Sequence, residues 1–176
     1  MSAFINPSIA PSIGLSEEQA QLIDIAQSFC RDKSPIDQVR HLLADETGFD
    51  PKIWQEIADL GWLGIGVPET FGGIGLGLGE VVPIVEQMGR TLLTLPFVST
   101  VLAAQAILVG GRTEQKEKFL PALASGTAAS LALCENNADW DLQNISCTAV
   151  KAEAGLVLSG HKYLVTDAPL AELFIV

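Results

Sequence analysis

The chain divides into two parts of different character near residue 127. Before that point, apolar residues recur at the three- and four-residue spacing that is typical of amphipathic helices. After it come short β-prone runs separated by Gly, Asp, Asn or Pro, at 129–134, 147–152, 156–158, 163–166 and 173–176. Because the helices come first and the strands follow, this order predicts an α+β protein with segregated parts. We expect an N-terminal all-α helical bundle followed by an incomplete antiparallel β-domain.

Length and composition limit the possible partners. A chain of 176 residues can bury a core, and its net charge of −11 at pH 7 argues against binding to nucleic-acid phosphate. The two histidines, His41 and His161, are too far apart in sequence to suggest a metal site. The most apolar segment, 97–109, is too short to cross a bilayer. We therefore expect a globular protein with no metal, no nucleic acid and no membrane insertion.

The cysteines and the N-terminus bear on the cellular compartment. Cys30, Cys134 and Cys147 are widely separated and include no C-x-x-C pair, which favours free thiols in a reducing compartment. The N-terminus carries neither early basic residues nor a long apolar run. For the chain as given, we predict no secretory or mitochondrial targeting and a cytoplasmic location.

Local signals divide residues 15–126 into six helices, preceded by a flexible segment at 1–14. The first helix begins in a capping box formed by Ser16 and Gln19, and the third begins at Asp50-Pro51. The fifth, 97–109, is apolar on all sides and is expected to be central. Pro83 must lie in the first turn of the fourth helix, where its missing N–H is not needed. We predict that Thr113 caps the sixth helix and that Pro121 bends or ends it. Residues expected on the inner faces of the second, third and sixth helices are Ile36, Val39, Leu42, Leu43, Ile53, Trp54, Ile57, Leu60, Phe119 and Leu120.

A glycine-rich segment, 61–79, holds eight of the sixteen glycines of the chain. So many glycines cannot sustain a helix or a strand, so the segment is predicted to be a loop. Its spacing matches neither of the two common phosphate-binding glycine patterns. A structural loop is therefore favoured over a phosphate cradle.

Two further motifs lie in the β-prone part. The segment 132–142 reads ALCENNADWDL, and by itself 136–141 is typical of a solvated turn between strands. The segment 160–168 reads GHKYLVTDA and is predicted to contain the strand 163–166. Thr166 is open to two interpretations, either a strand-end residue that satisfies its own turn or a residue that contacts a ligand.

Together with the loop, these motifs resemble the acyl-CoA dehydrogenase family. The loop is similar to G-W-x-G-x-x-x-P-E-x-F-G-G, the second motif to A-x-T-E-P-x-x-G-S-D, and the third to G-x-K-x-W-I-T. The resemblance extends over about residues 16–176. The matching positions are Gly61, Pro68, Glu69, Gly72 and Gly73 in the loop, Ala132, Glu135, Asp141 and Leu142 in the second motif, and Gly160, Lys162 and Thr166 in the third.

The resemblance implies a site for FAD. In the family, the second motif and the third lie against the flavin, and the threonine hydroxyl hydrogen-bonds near flavin N5. It therefore implies cofactor-binding roles for Leu133, Cys134, Leu164, Val165 and Thr166, and a substrate-binding role for Trp140. Several of these positions depart from the family pattern, namely Cys134 for threonine, Asn136 for proline, Asp139 for glycine, Trp140 for serine, Leu164 for tryptophan and Val165 for isoleucine.

The resemblance also implies a domain organisation and a reaction. Residues 15–126 correspond to the N-terminal helical domain and 127–176 to the truncated beginning of the middle β-barrel-like domain. The family removes hydrogen from the α and β carbons of an acyl-CoA thioester, in lipid or steroid catabolism, and forms homo- or hetero-oligomers. Its catalytic base comes from a C-terminal helical domain, so no catalytic residue is assigned here and the chain alone is expected to be inactive.

Two alternatives remain open. The departures at Cys134, Asp139, Trp140 and Leu164 are compatible with a degenerate, non-catalytic subunit that pairs with a FAD-bearing subunit. An unrelated helical binding module is the other, and the three matched motifs argue against it.

Overall fold

The computed structural model describes residues 16–45, 47–135, 141–153 and 155–176. Within these residues the helices come first and the short strands follow, as the order of the patterns predicts. The predicted flexible segment 1–14 and Trp140, Asn136 and Asp139 lie outside the described residues. The helices are α1 (Glu17–Lys33), α2 (Ile36–Leu43), α3 (Pro51–Asp59), α4 (Val82–Thr91), α5 (Phe97–Gly110) and α6 (Thr113–Ala124), and the strands are β1 (Ala129–Leu131), β2 (Thr148–Ala152), β3 (Gly155–Ser159) and β4 (Leu173–Ile175).

Local sequence signals set the starts of α1, α3 and α4. At α1, the Ser16 hydroxyl accepts the Gln19 N–H at 3.2 Å, and the Gln19 side chain accepts the Ser16 N–H at 3.0 Å. At α3, Asp50 accepts the Lys52 N–H at 2.8 Å and Pro51 is the first helical residue. Pro83 lies in the first turn of α4, where its missing N–H leaves no hydrogen bond unmade. These predictions are confirmed.

The sixth helix differs from the prediction in its cap, and of the two alternatives for Pro121 the one in which it ends the helix is wrong. Its cap is Arg112 rather than Thr113, because the Gln115 side chain accepts the Arg112 N–H at 2.9 Å. Pro121 does not end the helix, which continues to Ala124. The Pro121 carbonyl still accepts the Ser125 N–H at 3.1 Å, so the last turn closes after the proline.

The core consists of two apolar clusters. One joins α1, α3, α4 and the start of α5 around Ile57, Trp62 and Ile84, and the other joins α5 and α6 around Leu120 and Leu123. Helix α5 contributes to both clusters, yet its other face is open, since Val98 is 47% and Leu102 is 46% exposed. The expectation of a fully central helix is therefore wrong for that face.

Three other residues expected to face inward are exposed. Ile36 and Leu43 on α2 are 52% and 81% exposed, and Leu60 is 43% exposed. Helix α2 lies on the surface, and Val39 is its one buried residue. An eight-residue helix presents too little area to bury a whole apolar stripe.

The glycine-rich segment folds as a compact loop containing three 3₁₀ turns. Residues 73–76 run beside 64–67, with the N–H groups of Ile74 and Leu76 donating to the carbonyls of Gly64 and Ile65 at 2.9 Å. A Cβ at Gly73 would stand 2.0 Å from the Val67 carbonyl oxygen, so glycine is required there. Because these N–H groups are bonded within the loop, the prediction of a structural loop is confirmed.

The strands form two separate pairs. Strands β2 and β3 make an antiparallel hairpin with Val150 opposite Val157, whereas β1 pairs with β4 in parallel, with Ser130 opposite Phe174. The expected antiparallel pairing is therefore found in the β2–β3 hairpin. The β1–β4 pair is parallel instead, because the chain passes through the hairpin and the turn after it before it returns beside β1 in the same direction. Hydrogen bonds that join this region to the helices include one from the Ala129 N–H to the Thr100 hydroxyl at 3.0 Å, and just before the region Trp54 Nε1 donates to the Gly126 carbonyl at 2.7 Å.

The segment 163–166, predicted as a strand, is a turn. Leu164 has φ 52°, in the left-handed region, and so does Asp167, with φ 55°. The Tyr163 N–H donates to the Cys134 carbonyl at 2.8 Å, and among the described residues this is the single backbone hydrogen bond between the segment and the second motif. A short 3₁₀ turn, Ala168–Leu170, then leads into β4.

Candidate cofactor-binding site

A small cavity lies where α5, β1 and the 163–167 turn meet. Its volume is about 140 Å³, below the roughly 300–1,000 Å³ of typical ligand sites, so by itself it is too small to enclose a whole cofactor. The lining is mostly apolar, which suits a flat aromatic ligand. The cavity is lined by Val98, Ser99, Leu102, Ser130, Leu131, Leu133, Cys134, Leu164 and Thr166.

Four of the five residues predicted to bind a cofactor line this cavity together. Leu133 and Cys134 come from the segment after β1, and Leu164 and Thr166 come from the turn. Val165, the fifth, is half-buried and is not part of the lining. Cys134 is buried at 3% exposure, whereas Leu164 is 76% exposed at the rim.

Three hydroxyl side chains line the cavity, and two of them are engaged. Ser99 Oγ donates to Asp167 Oδ2 at 2.6 Å, and Ser130 Oγ donates to the Thr166 carbonyl at 2.5 Å. Among the described residues, neither the hydroxyl nor the backbone N–H of Thr166 has a hydrogen-bond partner. Thr166 is thus the hydroxyl on this wall that remains available to a ligand.

A largely buried ion pair holds the second and third motifs together. Lys162 Nζ lies 2.9 Å from Glu135 Oε1, and both side chains are 11% exposed. Lys162 Nζ also donates to the Leu133 carbonyl at 3.2 Å. This lysine therefore links the third motif to the cavity-lining part of the second.

Glu135 is a structural carboxylate. It accepts the Ser146 hydroxyl, the Ser146 N–H at 2.7 Å and the Cys147 N–H at 2.9 Å. These hydrogen bonds hold the pKa of Glu135 well below its ordinary value, and the bond from the Ser146 hydroxyl has the largest effect. A carboxylate so stabilised in its charged form is a poor proton acceptor, which agrees with assigning it no catalytic role.

The same hydrogen bonds place Cys147 against Gly160. Hydrogen bonding to Glu135, followed by burial, raises the pKa of the Cys147 thiol. Burial raises the pKa of Cys30, in the helical core, to about 11. All three cysteines are free, as predicted, and these two thiols favour their neutral form.

A second, larger groove adjoins the cavity. It has a volume of about 440 Å³ and lies between α4, the turn before it and α5. Val98 and Leu102 line both spaces, so the groove and the cavity share one face of α5. The groove is almost wholly apolar, and its lining residues are Leu78, Val81, Val82, Val85, Glu86, Val98, Val101 and Leu102.

Sequence patterns did not identify the α5 side of the site. Ser99 and Asp167 meet across 68 positions of sequence, so their contact has no local signature. One signal was available: Ser99 and Thr100 are polar residues within a mostly apolar helix, and both are buried. Buried hydroxyls need partners, which could have directed attention to this face.

Within the described residues, no group of His, Cys, Asp and Glu is arranged to hold a metal ion. No helix in that part of the chain combines the length and the apolar character needed to span a lipid bilayer.

Comparison with known proteins defines the family. Residues 16–127 match the family model for the acyl-CoA dehydrogenase N-terminal domain. The chain belongs to the acyl-CoA dehydrogenase family. A curated relative, the mitochondrial isovaleryl-CoA dehydrogenase of Bos taurus, is 33% identical over 172 residues, covering 93% of this chain and 39% of that protein.

Solved structures agree on the fold. The ChsE4-ChsE5 complex from Mycobacterium tuberculosis matches with a TM-score of 0.80 and 25% identity, over 93% of this chain and 44% of that one. An acyl-CoA dehydrogenase complexed with FAD from Bacillus anthracis matches with a TM-score of 0.78 and 29% identity, over 96% of this chain and 29% of that one. The α+β class, with helices before an incomplete β-domain, is confirmed. The chain spans less than half the length of these proteins.

Proposed function

We propose that these residues form one wall of the flavin and substrate sites of a FAD-dependent acyl-CoA dehydrogenase, which oxidises the α–β carbon bond of an acyl-CoA thioester. The observation that carries this proposal is the cavity, because Leu133, Cys134, Leu164 and Thr166 reach it from two separate segments. Family membership and the FAD complex of the B. anthracis relative support the same conclusion.

The chemistry of the wall fits a flavin. An apolar floor of Leu131, Leu133 and Leu164 suits the face of an aromatic ring, and the unpaired Thr166 hydroxyl suits a polar ring edge. When bound, FAD would supply the redox chemistry by accepting a hydride from the substrate. The chain's own residues would bind the ring, exclude water from one face and orient it through Thr166.

The adjoining groove suits an acyl chain. It is almost wholly apolar and opens beside the cavity along Val98 and Leu102. An acyl group lying there would bury apolar surface at about 25 cal/mol per Å² and would reach the cavity at its thioester end. Glu86 lies at the groove, where its carboxylate accepts hydrogen bonds from Arg90 at 2.7 and 3.0 Å. The predicted substrate contact of Trp140 stays a prediction.

None of the described carboxylates near the cavity is offered as the catalytic base. Asp167 is bonded to Ser99, and Glu135 is bonded to Lys162, Ser146 and Cys147. A base must reach the substrate proton directly or through one water. We therefore expect the 176 residues by themselves to show no acyl-CoA oxidation with an artificial electron acceptor, and measurable turnover would contradict this.

The second candidate is a non-catalytic subunit that assembles with a different, FAD-bearing subunit. Cys134 puts a thiol on the cavity wall where the family has a hydroxyl, and Leu164 is exposed at its rim. The matched M. tuberculosis structure is a complex of ChsE4 and ChsE5, which supports hetero-oligomer formation here. A cytoplasmic location also remains a proposal, supported by the free thiols.

The visible absorption spectrum separates the two candidates. The full open reading frame is expressed and purified, then incubated with FAD. A yellow protein with a perturbed flavin band is expected from the first candidate, and a colourless protein would favour the second.

Variants at Thr166 test the assignment of the wall. Thr166→Val keeps the shape and removes the hydroxyl, and Thr166→Ser keeps the hydroxyl as a matched control. Loss of one uncharged hydrogen bond is worth about 0.5–1.5 kcal/mol, so Thr166→Val should weaken FAD binding by roughly two- to tenfold. Equal affinities for the two variants would exclude Thr166 as a flavin contact.

A further inference from the structure

The 163–167 turn adopts a backbone that its sequence does not favour. Leu164 and Asp167 both have φ near 55°, at 52° and 55°, and neither is glycine. The left-handed region is unfavourable for a leucine, whereas aspartate tolerates it better. A turn with two such residues persists only when its surroundings hold it.

Two hydroxyls from the cavity wall hold this turn. Ser99 Oγ on α5, a residue that is 5% exposed, lies 2.6 Å from Asp167 Oδ2 and 3.1 Å from the Pro96 carbonyl, and its single proton is donated to the nearer, charged carboxylate. Ser130 Oγ on β1, at 1% exposure, donates to the Thr166 carbonyl at 2.5 Å. Hydrogen bonds to a carboxylate are stronger than neutral ones, so the Ser99–Asp167 contact is the stronger of the two.

The contact also organises the next segment. The Asp167 carbonyl accepts the N–H groups of Leu170 at 2.9 Å and Ala171 at 3.1 Å, at the turn that leads into β4. Asp167 is thus tied to α5 by its side chain and to the chain leading into β4 by its backbone. Thr166 directly precedes this tethered residue, and its own carbonyl accepts from Ser130. Thr166 lines the cavity, and its hydroxyl has no hydrogen-bond partner among the described residues.

We propose that Ser99 and Asp167 are positioning residues, whose hydrogen bond locks the turn and directs the Thr166 hydroxyl into the cavity. Ser99 and Asp167 act through the turn, because the Ser99 proton and an Asp167 oxygen are already used in their mutual contact. With respect to the flavin, this inference rests on the proposed function. The lock itself is a property of the chain and is testable without FAD.

Three substitutions at Asp167 separate the contributions. Asp167→Asn keeps an acceptor oxygen and tolerance of the left-handed backbone, Asp167→Gly keeps only the backbone, and Asp167→Ala keeps neither. We expect Asn to stay within about twofold of the parent in FAD dissociation constant, Ala to weaken binding about tenfold, and Gly to lie between them. The absorption band of the bound flavin should shift toward that of free flavin in Asp167→Ala and should stay as in the parent in Asp167→Asn.

Ser99→Ala removes the partner and completes a double-mutant cycle. If the two residues act as one unit, the double variant Ser99→Ala, Asp167→Ala should weaken FAD binding no more than Asp167→Ala does. Ser125→Ala is the matched control, since Ser125 Oγ donates to the Pro121 carbonyl at 2.8 Å on the exposed end of α6. Additive losses in the cycle would overturn the proposal.

Hydrogen-exchange mass spectrometry supplies the readout without FAD. In the full chain, Ser99→Ala and Asp167→Ala should speed exchange of the Leu170 and Ala171 amides by about tenfold or more, and Asp167→Asn and Ser125→Ala should not. If the parent binds no FAD, the proposed function fails and these exchange rates alone decide whether the lock exists. Unchanged rates in both alanine variants would overturn it.

Discussion

Gly160 follows β3 and lies directly against Cys147. A Cβ added there would stand 2.1 Å from Cys147 Sγ and 3.0 Å from Cys147 Cα, and the backbone has φ 149°. Gly155, in the same hairpin, has φ 135°, and no described atom lies within 4 Å of the point where its Cβ would stand. The two glycines share a backbone conformation that favours glycine and differ in the space around them.

Alanine substitutions at Gly155 and Gly160 should distinguish the cost of backbone strain from the cost of a steric clash with Cys147. We expect Gly155→Ala to lower the free energy of unfolding by about 1 kcal/mol through its backbone, and Gly160→Ala by about 1–3 kcal/mol more through overpacking. Urea denaturation measures both. Cys147→Ala should recover part of the loss in Gly160→Ala and none in Gly155→Ala, and equal losses for the two glycine variants would contradict the close contact.

The environment of Glu135 should make stability depend on acid. Its folded-state pKa lies below the ordinary value of 4.5 because the Ser146 hydroxyl, the Cys147 N–H and Lys162 stabilise the carboxylate. A group whose pKa is depressed on folding stabilises the protein above its unfolded-state pKa, and this contribution is lost as the pH falls below about 4.5. We expect the urea midpoint to fall between pH 6 and pH 3, and to fall less in Glu135→Gln.

The control for this experiment is Glu86→Gln. It removes an exposed ion pair with Arg90, in which the side chains are 56% and 68% exposed. Exposed pairs contribute little, so this variant should keep the acid dependence of the parent. A parent and a Glu135→Gln variant with parallel pH profiles would rule out the stabilised carboxylate.

At the scale of elements, Thr100 joins α5 to β1. Its hydroxyl accepts the Ala129 N–H at 3.0 Å and lies 3.4 Å from the Ala129 carbonyl, with the residue 1% exposed. Thr100→Val keeps the shape and leaves a buried N–H without a partner, which costs about 1–3 kcal/mol of unfolding free energy. Thr94→Val, at an exposed threonine, should change it by less than about 0.5 kcal/mol. Equal effects in urea denaturation would contradict the bridging role.

The elements that sequence could predict are those whose causes are local. The start of α1 follows from Ser16 and Gln19, and the start of α3 from Asp50 and Pro51, within one turn of chain. The same holds for the glycine-rich loop, where Gly73 must approach the Val67 carbonyl. The family resemblance added the residues that gather at the cavity.

The elements that it missed have distant causes. The run 163–166 is β-prone, but Ser99 and Ser130 hold its end in a turn from far along the chain. Which strand lies beside β1 is equally non-local, so the parallel pairing with β4 was not predicted. Exposure of Leu43 and Leu60 reflects the neighbours that a helix meets, which its own periodicity does not encode.

At the scale of the whole molecule, the β2–β3 hairpin exposes apolar side chains on both of its faces. Val150 and Val157 oppose each other on one face at 62% and 53% exposure, and Leu156 and Leu158 lie on the other at 70% and 59%. A hairpin with apolar residues on both faces is typical of an element that other protein covers. The 176 residues by themselves should therefore self-associate.

Sedimentation velocity over a range of concentrations tests this expectation. The double variant Leu156→Ser, Leu158→Ser should shift the chain toward monomer, because it removes exposed apolar area on one face. Leu43→Ser, at an exposed leucine on α2 with 81% exposure, is the control and should leave association unchanged because it lies outside the hairpin. A parent that stays monomeric at all concentrations would contradict the prediction.

Val98 and Leu102 stand one helical turn apart on α5, and each belongs to two walls at once. Under the proposed function, a substitution at either residue that adapts the groove to a different acyl group also changes the surroundings of the flavin. Substrate preference and flavin absorption would therefore change together. Natural variants at these two positions should show absorption maxima that correlate with the acyl groups they prefer.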